Sequence, residues 1–462
     1  MLYETRGPFR SLVDAKAGAV DRSIYADDDI YQLELERIFA RAWNFMCHES
    51  QIPKAGDFFL SFIGEESVIA TRDKKGELQV LLNSCRHRGN AVCRAESGNA
   101  RSFLCTYHGW TYGLDGSLIG VPGYKDFYHE QLDKSQWGLV KAGKVASYKG
   151  FVFATMDPEA PDLEEYLGEV GRMGIDLIAE RGKDLVAVEG VQKSIIGCNW
   201  KLAVDNLFDF YHPQISHASA TMSGFRKQVD KLNAEERELA AKAGIAGGSG
   251  VGRPHRVVFG AYGHCVGGPR LTPEIRAIRT QLADKIDSLI DDDFRDWPQA
   301  QEALGEVGID TSGHPNIFPN LWVASQGSQL SLRLPKGPGR TEIWWFTFID
   351  KAATEKRQKD RVERGNHVFG AAGLLEQDDG ENWDQSTRAM RGVIARRYPL
   401  NFAMGSGHDE VKVASNTAYV DGPINEHAQL WTYRSWADWM DADSWAALKQ
   451  NHTVPPEAGA RP

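Results

Sequence analysis

No stretch of this chain approaches the roughly 18 uninterrupted apolar residues that a membrane-crossing helix needs, so none is expected. The opening MLYETRGPFRSLVDAKAGAV has charge but no apolar run behind it, and no secretory signal is read there. Positive charge is not in excess either: 53 Lys and Arg face 63 Asp and Glu, a net charge of −10, which argues against a nucleic-acid surface. Cysteine is scarce, with six in 462 residues. In a chain of this size read without a signal, disulfides are not expected and a cytoplasmic setting is the default, so clustered cysteine points to metal or catalysis. No internal repeat is seen. The rest is an ordinary globular composition of 42% hydrophobic and 25% charged residues, with 13 Trp and 20 Phe to fill an aromatic-rich core.

Three of the six cysteines fall in one short stretch, Cys85 to Trp110, reading CRHRGNAVCRAESGNARSFLCTYHGW. Its spacing is Cys85-x-His87, seventeen residues, then Cys105-x2-His108. A zinc ribbon more usually presents Cys-x2-Cys in both pairs. Here each pair mixes a thiolate with an imidazole, which suits a two-iron cluster held by two Cys on one iron and two His on the other. Such centres have potentials of about −150 to +300 mV, because neutral imidazole replaces anionic thiolate. Glycines punctuate the stretch where backbone N–H groups must approach sulfur closely, and Tyr107 and Trp110 flank the second pair as shields. Cys93 falls outside the pattern and reads as a small buried hydrophobe. The rival readings are a zinc site, or core cysteines beside unrelated surface histidines.

A cluster of this kind moves single electrons and needs a sink. The segment Cys198 to His217, CNWKLAVDNLFDFYHPQISH, is the best candidate. A helix running to about His212 would place Asp209 and His212 on one face. Pro213 then ends the helix, and His217 follows. Two imidazoles and one carboxylate, with open positions opposite, form the facial triad of mononuclear non-haem Fe(II) oxygenases. The carboxylate is either Asp209 or a member of the acidic run in Phe369 to Trp383, FGAAGLLEQDDGENW, which taken alone would read as a solvated surface.

Together these motifs resemble the large (α) subunit of Rieske non-haem iron aromatic-ring-hydroxylating dioxygenases, of the naphthalene, biphenyl and phthalate dioxygenase kind. The resemblance rests on Cys85–His108, Asn199–His217 and Glu376–Trp383, with supporting text at His48–Asp57 and Gly120–Gly123, and covers about residues 20 to 435. It implies that Cys85, His87, Cys105 and His108 hold [2Fe–2S], and that His212, His217 and Asp379 hold the mononuclear iron, with Asp378 as the fallback carboxylate. It implies that Asp209 is not a ligand but bridges a cluster histidine of one subunit to an iron histidine of its neighbour. Asn206 joins Asp209 as a catalytic candidate, and Phe208, Phe318, Leu321, Phe369 and Leu375 are candidate pocket residues, Phe369 because it lies ten residues before Asp379. One departure stands out: the chain is one residue shorter than many relatives between Asn199-Trp-Lys and Asp209, which puts the pocket around Asn206, Leu207 and Phe208 in doubt.

The expected fold class is α+β: an all-β Rieske [2Fe–2S] domain inserted before a helix-grip catalytic domain of antiparallel sheet plus helices. Residues 1–40 read as an arm belonging with the catalytic domain, 41–157 as the Rieske domain, 158–453 as the catalytic domain and 454–462 as a flexible tail. TEIWWFTFID (341–350) reads as a strand, 273–293 and 352–368 as solvent-facing amphipathic helices, and 230–252 as a mobile cover over the site mouth.

The implied function is the terminal oxygenase of a multicomponent system that uses O2 and electrons from NAD(P)H, delivered by a reductase and ferredoxin, to form a cis-dihydrodiol from a mono- or polycyclic hydrocarbon. Arg86, Arg88, Arg94 and Arg101 offer a patch for an acidic ferredoxin. The implied assembly is α3β3 with a small β subunit, or an α3 trimer; no nucleic acid or membrane partner is expected. Alternatives are an aromatic carboxylate such as phthalate, read by Arg333 from a strand; a Rieske monooxygenase or O-demethylase; and a non-catalytic electron carrier or zinc-stabilised binding protein, which would leave His212, His217 and Asp379 without purpose.

Overall fold

The computed structural model describes residues 8–225, 227–245, 252–286 and 292–462. The chain divides into two compact units, Leu35–Leu163 and the combination of Met1–Glu34 with Glu164–Pro462.

In the first unit the alternation of apolar and polar residues in DFFLSFI and ESVIATR builds the strands Asp57–Ile63 and Glu66–Arg72. They pair antiparallel from Phe58↔Thr71 to Ile63↔Glu66. Leu78–Leu82 and Ser97–Asn99 complete a four-stranded sheet, and two three-stranded antiparallel sheets lie in the same unit. One of these, Phe103–Leu104, Thr111–Tyr112 and Leu118–Gly120, brackets the second Cys–His pair. Phe58, Ile69, Leu81, Phe103, Tyr112 and Leu118 pack with Cys85, Cys105 and Trp110 into one core. The metal-type loops are therefore seated on buried apolar surface.

The second unit centres on a ten-stranded antiparallel sheet. Its longest strand is Thr341–Asp350, near one end of the strand order, whose Trp344, Trp345, Phe346 and Phe348 are buried on both faces. It pairs with Gln329–Pro335 on one side and with Leu185–Ala187 and Gln192–Ile196 on the other. Beyond Gln329–Pro335 the order continues through Leu321–Ala324, His314–Ile317, Cys265–Pro269, His255–Phe259, Thr417–Gly422 and Val411–Ala414.

The helix His427–Asp441 is buried nearly all round, so its three indoles must each find an acceptor. Trp431 donates to the Gly260 carbonyl at 3.0 Å, Trp439 to the Tyr262 carbonyl at 3.0 Å and Trp436 to Glu34 at 2.8 Å. Glu34 also accepts from Trp200 at 2.8 Å and pairs with Lys201. This carboxylate, buried on the helix Asp28–Glu34, ties the arm to the segment that leads into the histidine motif.

Three expectations change. The tail is held rather than loose: the Val411 N–H donates to the Ala460 carbonyl and the Gly459 N–H to the Val411 carbonyl, both at 2.9 Å. In the expected cover, Ala234–Lys242 forms a helix started by a reciprocal Asn233–Glu236 cap. Its Ala240, with Leu232, Ala243 and Ile245, packs on Ile275, Ile278 and Leu282 of Pro273–Ile286, so that helix buries one face rather than lying wholly in solvent. Residues 246–251 of the cover lie outside the described residues.

Among the described residues no helix is long and apolar enough to cross a membrane. The Glu34 cluster generates a stability prediction. Glu34→Ala leaves a buried Lys201 ammonium and two indoles unmatched and should cost about 3–5 kcal/mol, read as a lower denaturation midpoint of this unit. A loss below 1 kcal/mol would show that the cluster does not hold the arm.

Candidate active site

The two Cys–His pairs sit on loops with the same bonding. In the first, the Gly89 N–H donates to the Cys85 carbonyl at 2.8 Å and the Cys85 N–H to the Asn90 carbonyl at 2.9 Å. In the second, the Gly109 N–H donates to the Cys105 carbonyl at 2.9 Å and the Cys105 N–H to the Trp110 carbonyl at 2.8 Å. Gly89 at φ +74° and Gly109 at φ +75° occupy the left-handed turn that each loop requires. Both sulfurs are buried and unoxidised. The His87 and His108 ring centroids lie 4.5 Å apart, and Trp110 stacks on His87 at 5.1 Å with only 9° between planes. Tyr107 lies against His108 at 3.8 Å but is itself exposed, so shielding falls to Trp110. Tyr112 Oη is 3.2 Å from Cys85 Sγ, and Asn90 Nδ2 donates to Cys105 Sγ at 3.7 Å. His87 Nδ1 is buried without a partner among the described residues. Two buried thiols and a converging imidazole pair with an orphaned nitrogen fit a mixed-ligand iron–sulfur cluster. Arg86, Arg88, Arg94 and Arg101 are all exposed around these loops.

The histidine segment folds differently from the expected long helix. An α-helix covers only Trp200–Asp205, a 3-10 turn follows at Asn206–Phe208, and Asp209 is extended. The Asp209 side chain is the cause: its Oδ1 accepts the backbone N–H of Tyr211 and of His212, each at 3.0 Å, offering the chain an alternative to helix bonding. Pro213 then opens a short helix, Pro213–Ser216, with His212 at its start and His217 at its end.

That turn brings the two imidazoles together. His212 Nε2 and His217 Nε2 lie 3.2 Å apart. Asp379 Oδ1 is 3.2 Å from the first and 3.5 Å from the second. Asp379 reaches them from the first turn of the helix Glu376–Met390. Behind the ligand-type nitrogens stand two more carboxylates: Asp209 Oδ1 is 3.4 Å from His212 Nδ1, and Asp378 Oδ2 is 3.6 Å from His217 Nδ1. The adjacent aspartates thus divide, Asp379 toward both Nε2 atoms and Asp378 outward, where it also accepts from Ser219 at 3.2 Å. Burial opposes charge on His212, but Asp209 and Asp379 outweigh it and lift its pKa to about 9. Burial prevails at His217, whose pKa is lowered. Two nitrogens and one oxygen converging in a pocket lined with carboxylates fit a divalent cation with imidazole and carboxylate ligands.

The trio opens on a cavity of about 690 Å³. Of the expected pocket residues, Phe369 and Leu375 line it, together with the catalytic candidates Asn206 and Asp209. Phe369 stacks on Trp345 at 4.7 Å and meets Trp322 edge-on at 5.2 Å. Phe208, Phe318 and Leu321 do not line this cavity. Phe208 fills the space above Gly267, Phe318 stacks on Trp439 at 5.7 Å, and Leu321 is a buried strand residue. Arg333 is also spoken for, paired in the core with Glu376 at 2.6 Å. His314, Trp322 and Gln326 line the cavity and were missed, since each comes from a sheet strand or turn with no local motif; Phe210, also in the lining, was missed although it lies inside the histidine segment, because its apolar character there does not tell cavity from core.

Comparison with known proteins decides the family. The Ring hydroxylating alpha subunit (catalytic domain) family matches residues 167–442, and the Rieske [2Fe-2S] domain family matches residues 42–148. The chain belongs to the ring-hydroxylating dioxygenase α subunits. It is similar to biphenyl 2,3-dioxygenase subunit alpha of Rhodococcus jostii (strain RHA1), with 36% identity over 448 residues, 95% of this chain and 92% of that protein. It is 34% identical over 455 residues to benzene 1,2-dioxygenase subunit alpha of Pseudomonas putida, with 95% of each covered. Its fold resembles naphthalene 1,2-dioxygenase solved with indole in the active site, at a TM-score of 0.79 and 27% identity over 95% of this chain and 96% of that one. As a member of the family it is an oxidoreductase with a Rieske [2Fe–2S] cluster and a mononuclear iron, using O2 and electrons that originate in NAD(P)H.

The His212 pKa sets a pH dependence for iron in this ring-hydroxylating dioxygenase subunit. Below about pH 9 the metal-free His212 carries a proton that a metal must displace. Fe(II) binding to the metal-free protein should therefore tighten by about tenfold per pH unit from pH 7 and level off above pH 9. Anaerobic metal titration checks this, and a flat affinity across that range would overturn the protonation of His212.

Proposed function

We propose that this subunit is the terminal oxygenase of an aromatic hydrocarbon dioxygenase system, with His212, His217 and Asp379 holding the mononuclear iron. The observation that carries the reading is the convergence of Nε2, Nε2 and Oδ1 at the wall of a cavity with an aromatic face. Cys85, His87, Cys105 and His108 are the proposed cluster ligands, supported by their matched loops and the buried, unpartnered His87 Nδ1. When bound, the iron supplies O2 activation and the cluster supplies one-electron transfer.

The protein's own residues do the rest. Asp209 and Asp378 lie 3.4 and 3.6 Å from Nδ1 of His212 and His217, and a carboxylate on that side favours a proton on Nδ1, which would leave both Nε2 lone pairs for the metal. Asp209 is the proposed bridge to a cluster histidine of a neighbouring protomer; in support, its carboxylate stays 18% exposed although Oδ1 accepts two backbone N–H groups. Asn206, beside Asp209 on the cavity wall, can orient a polar group at the reacting end. Phe369 and Leu375 present an apolar wall that holds a ring and keeps water out.

The substrate class follows from the biphenyl, benzene and naphthalene dioxygenase relatives and from that wall: a mono- or polycyclic aromatic hydrocarbon, converted to a cis-dihydrodiol. Arg333 is engaged by Glu376, which removes the residue on which an aromatic carboxylate reading rested. The proposed partners are a reductase and an acidic ferredoxin that docks on the arginine face of the cluster loops. The proposed assembly is an α3 ring, alone or with β subunits, because an intersubunit bridge at Asp209 requires a neighbour. The proposed compartment is the cytoplasm, consistent with six unpaired cysteines.

Turnover with the cognate reductase and ferredoxin under ¹⁸O2 tests the reading. Biphenyl or naphthalene should yield a cis-dihydrodiol with both oxygens labelled. A single labelled oxygen would make the enzyme a monooxygenase, and turnover of phthalate alone would overturn the hydrocarbon assignment. Asp209→Ala should retain both metal centres, by metal analysis and visible spectrum, yet lose activity by about 100-fold or more. Full activity with both irons present would refute the bridge.

A further inference from the structure

We infer that the cavity beside His212, His217 and Asp379 is shaped for aromatic substrates carrying a hydrogen-bond donor, a ring hydroxyl or N–H, read by His314 and Gln326 as acceptors. This rests on the proposed function only in taking that cavity as the substrate site.

The argument begins with tautomers. His314 opens the strand His314–Ile317, and its Nδ1 is 3.2 Å from the Leu207 backbone carbonyl. A carbonyl oxygen can only accept, so the ring proton must sit on Nδ1 and Nε2 must carry a bare lone pair. Phe210 and Trp322 each pack against the imidazole with ring centroids 5.0 Å away, and the Leu207 carbonyl holds the Nδ1 edge. Burial keeps the imidazole neutral, its pKa pushed down to about 4, so a second proton does not convert the acceptor to a donor.

Gln326 repeats the logic. Its amide nitrogen donates to the Ser312 carbonyl at 2.8 Å, which fixes the amide orientation and leaves Oε1 as an acceptor. Ser312 and His314 are two residues apart, and the Ser325 hydroxyl donates to the Gly313 carbonyl at 3.0 Å, so Gln326 and His314 belong to one corner of the cavity. The fully buried Gln329, from the neighbouring strand, directs its nitrogen to Thr347 Oγ1 at 3.3 Å and has an Oε1 with no partner among the described residues. Three polar side chains in the lining thus direct their donors into the protein. Of the four arginines in the same lining, Arg253, Arg270, Arg279 and Arg364, Arg270 pairs with Asp421 at 3.1 Å, with its Nε unpartnered among the described residues, and Arg279 pairs with Asp292 at 2.5 Å. A plain hydrocarbon leaves this corner unmatched. A phenol or an aryl N–H satisfies it while its ring lies on the Phe369 face, and a site that bonds a hydroxyl discriminates against the analogue lacking it.

The test uses the iron- and cluster-loaded enzyme and equilibrium dialysis, so that it does not depend on turnover. The ligands are biphenyl, the three hydroxybiphenyls, their methyl ethers and the three aminobiphenyls. At least one hydroxybiphenyl should bind about tenfold or more tightly than both biphenyl and its own ether. The matching amine then shows whether N–H is read as well as O–H. His314→Phe should bring that preference to about threefold or less, and Gln326→Leu, at a half-buried position, gives the same direction should the first variant fail to fold. Equal binding of phenol, ether and hydrocarbon at every ring position, or an undiminished preference in both variants, would overturn the inference. Retained preference without dihydrodiol formation would count against the proposed activity while upholding the acceptor corner.

Discussion

Two imidazoles and a carboxylate, all strongly hydrated groups in water, are held within a few ångströms of one another at the wall of a cavity. His212, His217 and Asp379 come from a four-residue helix and from the first turn of a distant one, and their meeting is the constraint to which the rest of the catalytic unit answers. Polar groups buried without partners are costly, and a cation bound as proposed would satisfy all three at once. The chain prepares for that cation twice. Asp209 interrupts the preceding helix by taking backbone N–H groups, which swings His212 round to face His217, and the same carboxylate then backs the His212 ring. One residue performs both the folding step and the electrostatic one.

Asp379 must be held as firmly as the histidines, and the structure shows how. Glu376, one turn earlier on the same helix, accepts from Arg333 at 2.6 Å, from the Trp345 indole, and from the Gly370 N–H at 3.2 Å. The guanidinium lies among Trp322, Trp345 and Trp383, 4.6, 5.2 and 5.5 Å from their ring centres. Isolated burial of such a pair is no source of stability, since desolvation offsets attraction. Its effect here is geometric. The start of the Asp379-bearing helix, the Phe369–Gly370 wall of the cavity and the strands Gln329–Pro335 and Thr341–Asp350 are fastened to one ion pair, so Asp379 and the aromatic face cannot drift independently.

The metal-type residues were legible in the sequence because their chemistry is local: two Cys–His pairs at close spacing and two histidines five apart need no knowledge of the fold. Asp379 was reachable only through family resemblance, since 162 residues separate it from His217 and an acidic run ordinarily faces solvent. The long helix to His212 was misread because NWKLAVDNLFDFYH has helical apolar spacing, and periodicity does not register an aspartate that competes for backbone N–H groups. Phe208, Phe318 and Leu321 show another limit. Apolar character predicts burial, which all three have, but not whether a side chain meets another side chain or a void. The tail misled for the complementary reason: its Pro- and Gly-rich text lacks periodicity, yet it docks by backbone hydrogen bonds alone.

The two metal-type sites are surrounded by opposite electrostatics, and the difference follows from what each must stabilise. Around the cluster thiols the neighbours are donors or potential donors: Tyr112 beside Cys85, itself accepting the Arg86 N–H at 3.0 Å, and the Asn90 amide beside Cys105. Such groups favour negative charge on sulfur, the form an iron–sulfur centre approaches on reduction. Around His212 and His217 the neighbours are carboxylates, Asp209 and Asp378, which favour positive charge and raise ligand basicity. A cation at His212, His217 and Asp379 would thereby be favoured by charge as well as by its three ligand atoms. The cavity can then open directly on the trio, and the polar corner at His314 and Gln326 fixes a substrate's orientation from the sheet side, where strands rather than loops set the geometry.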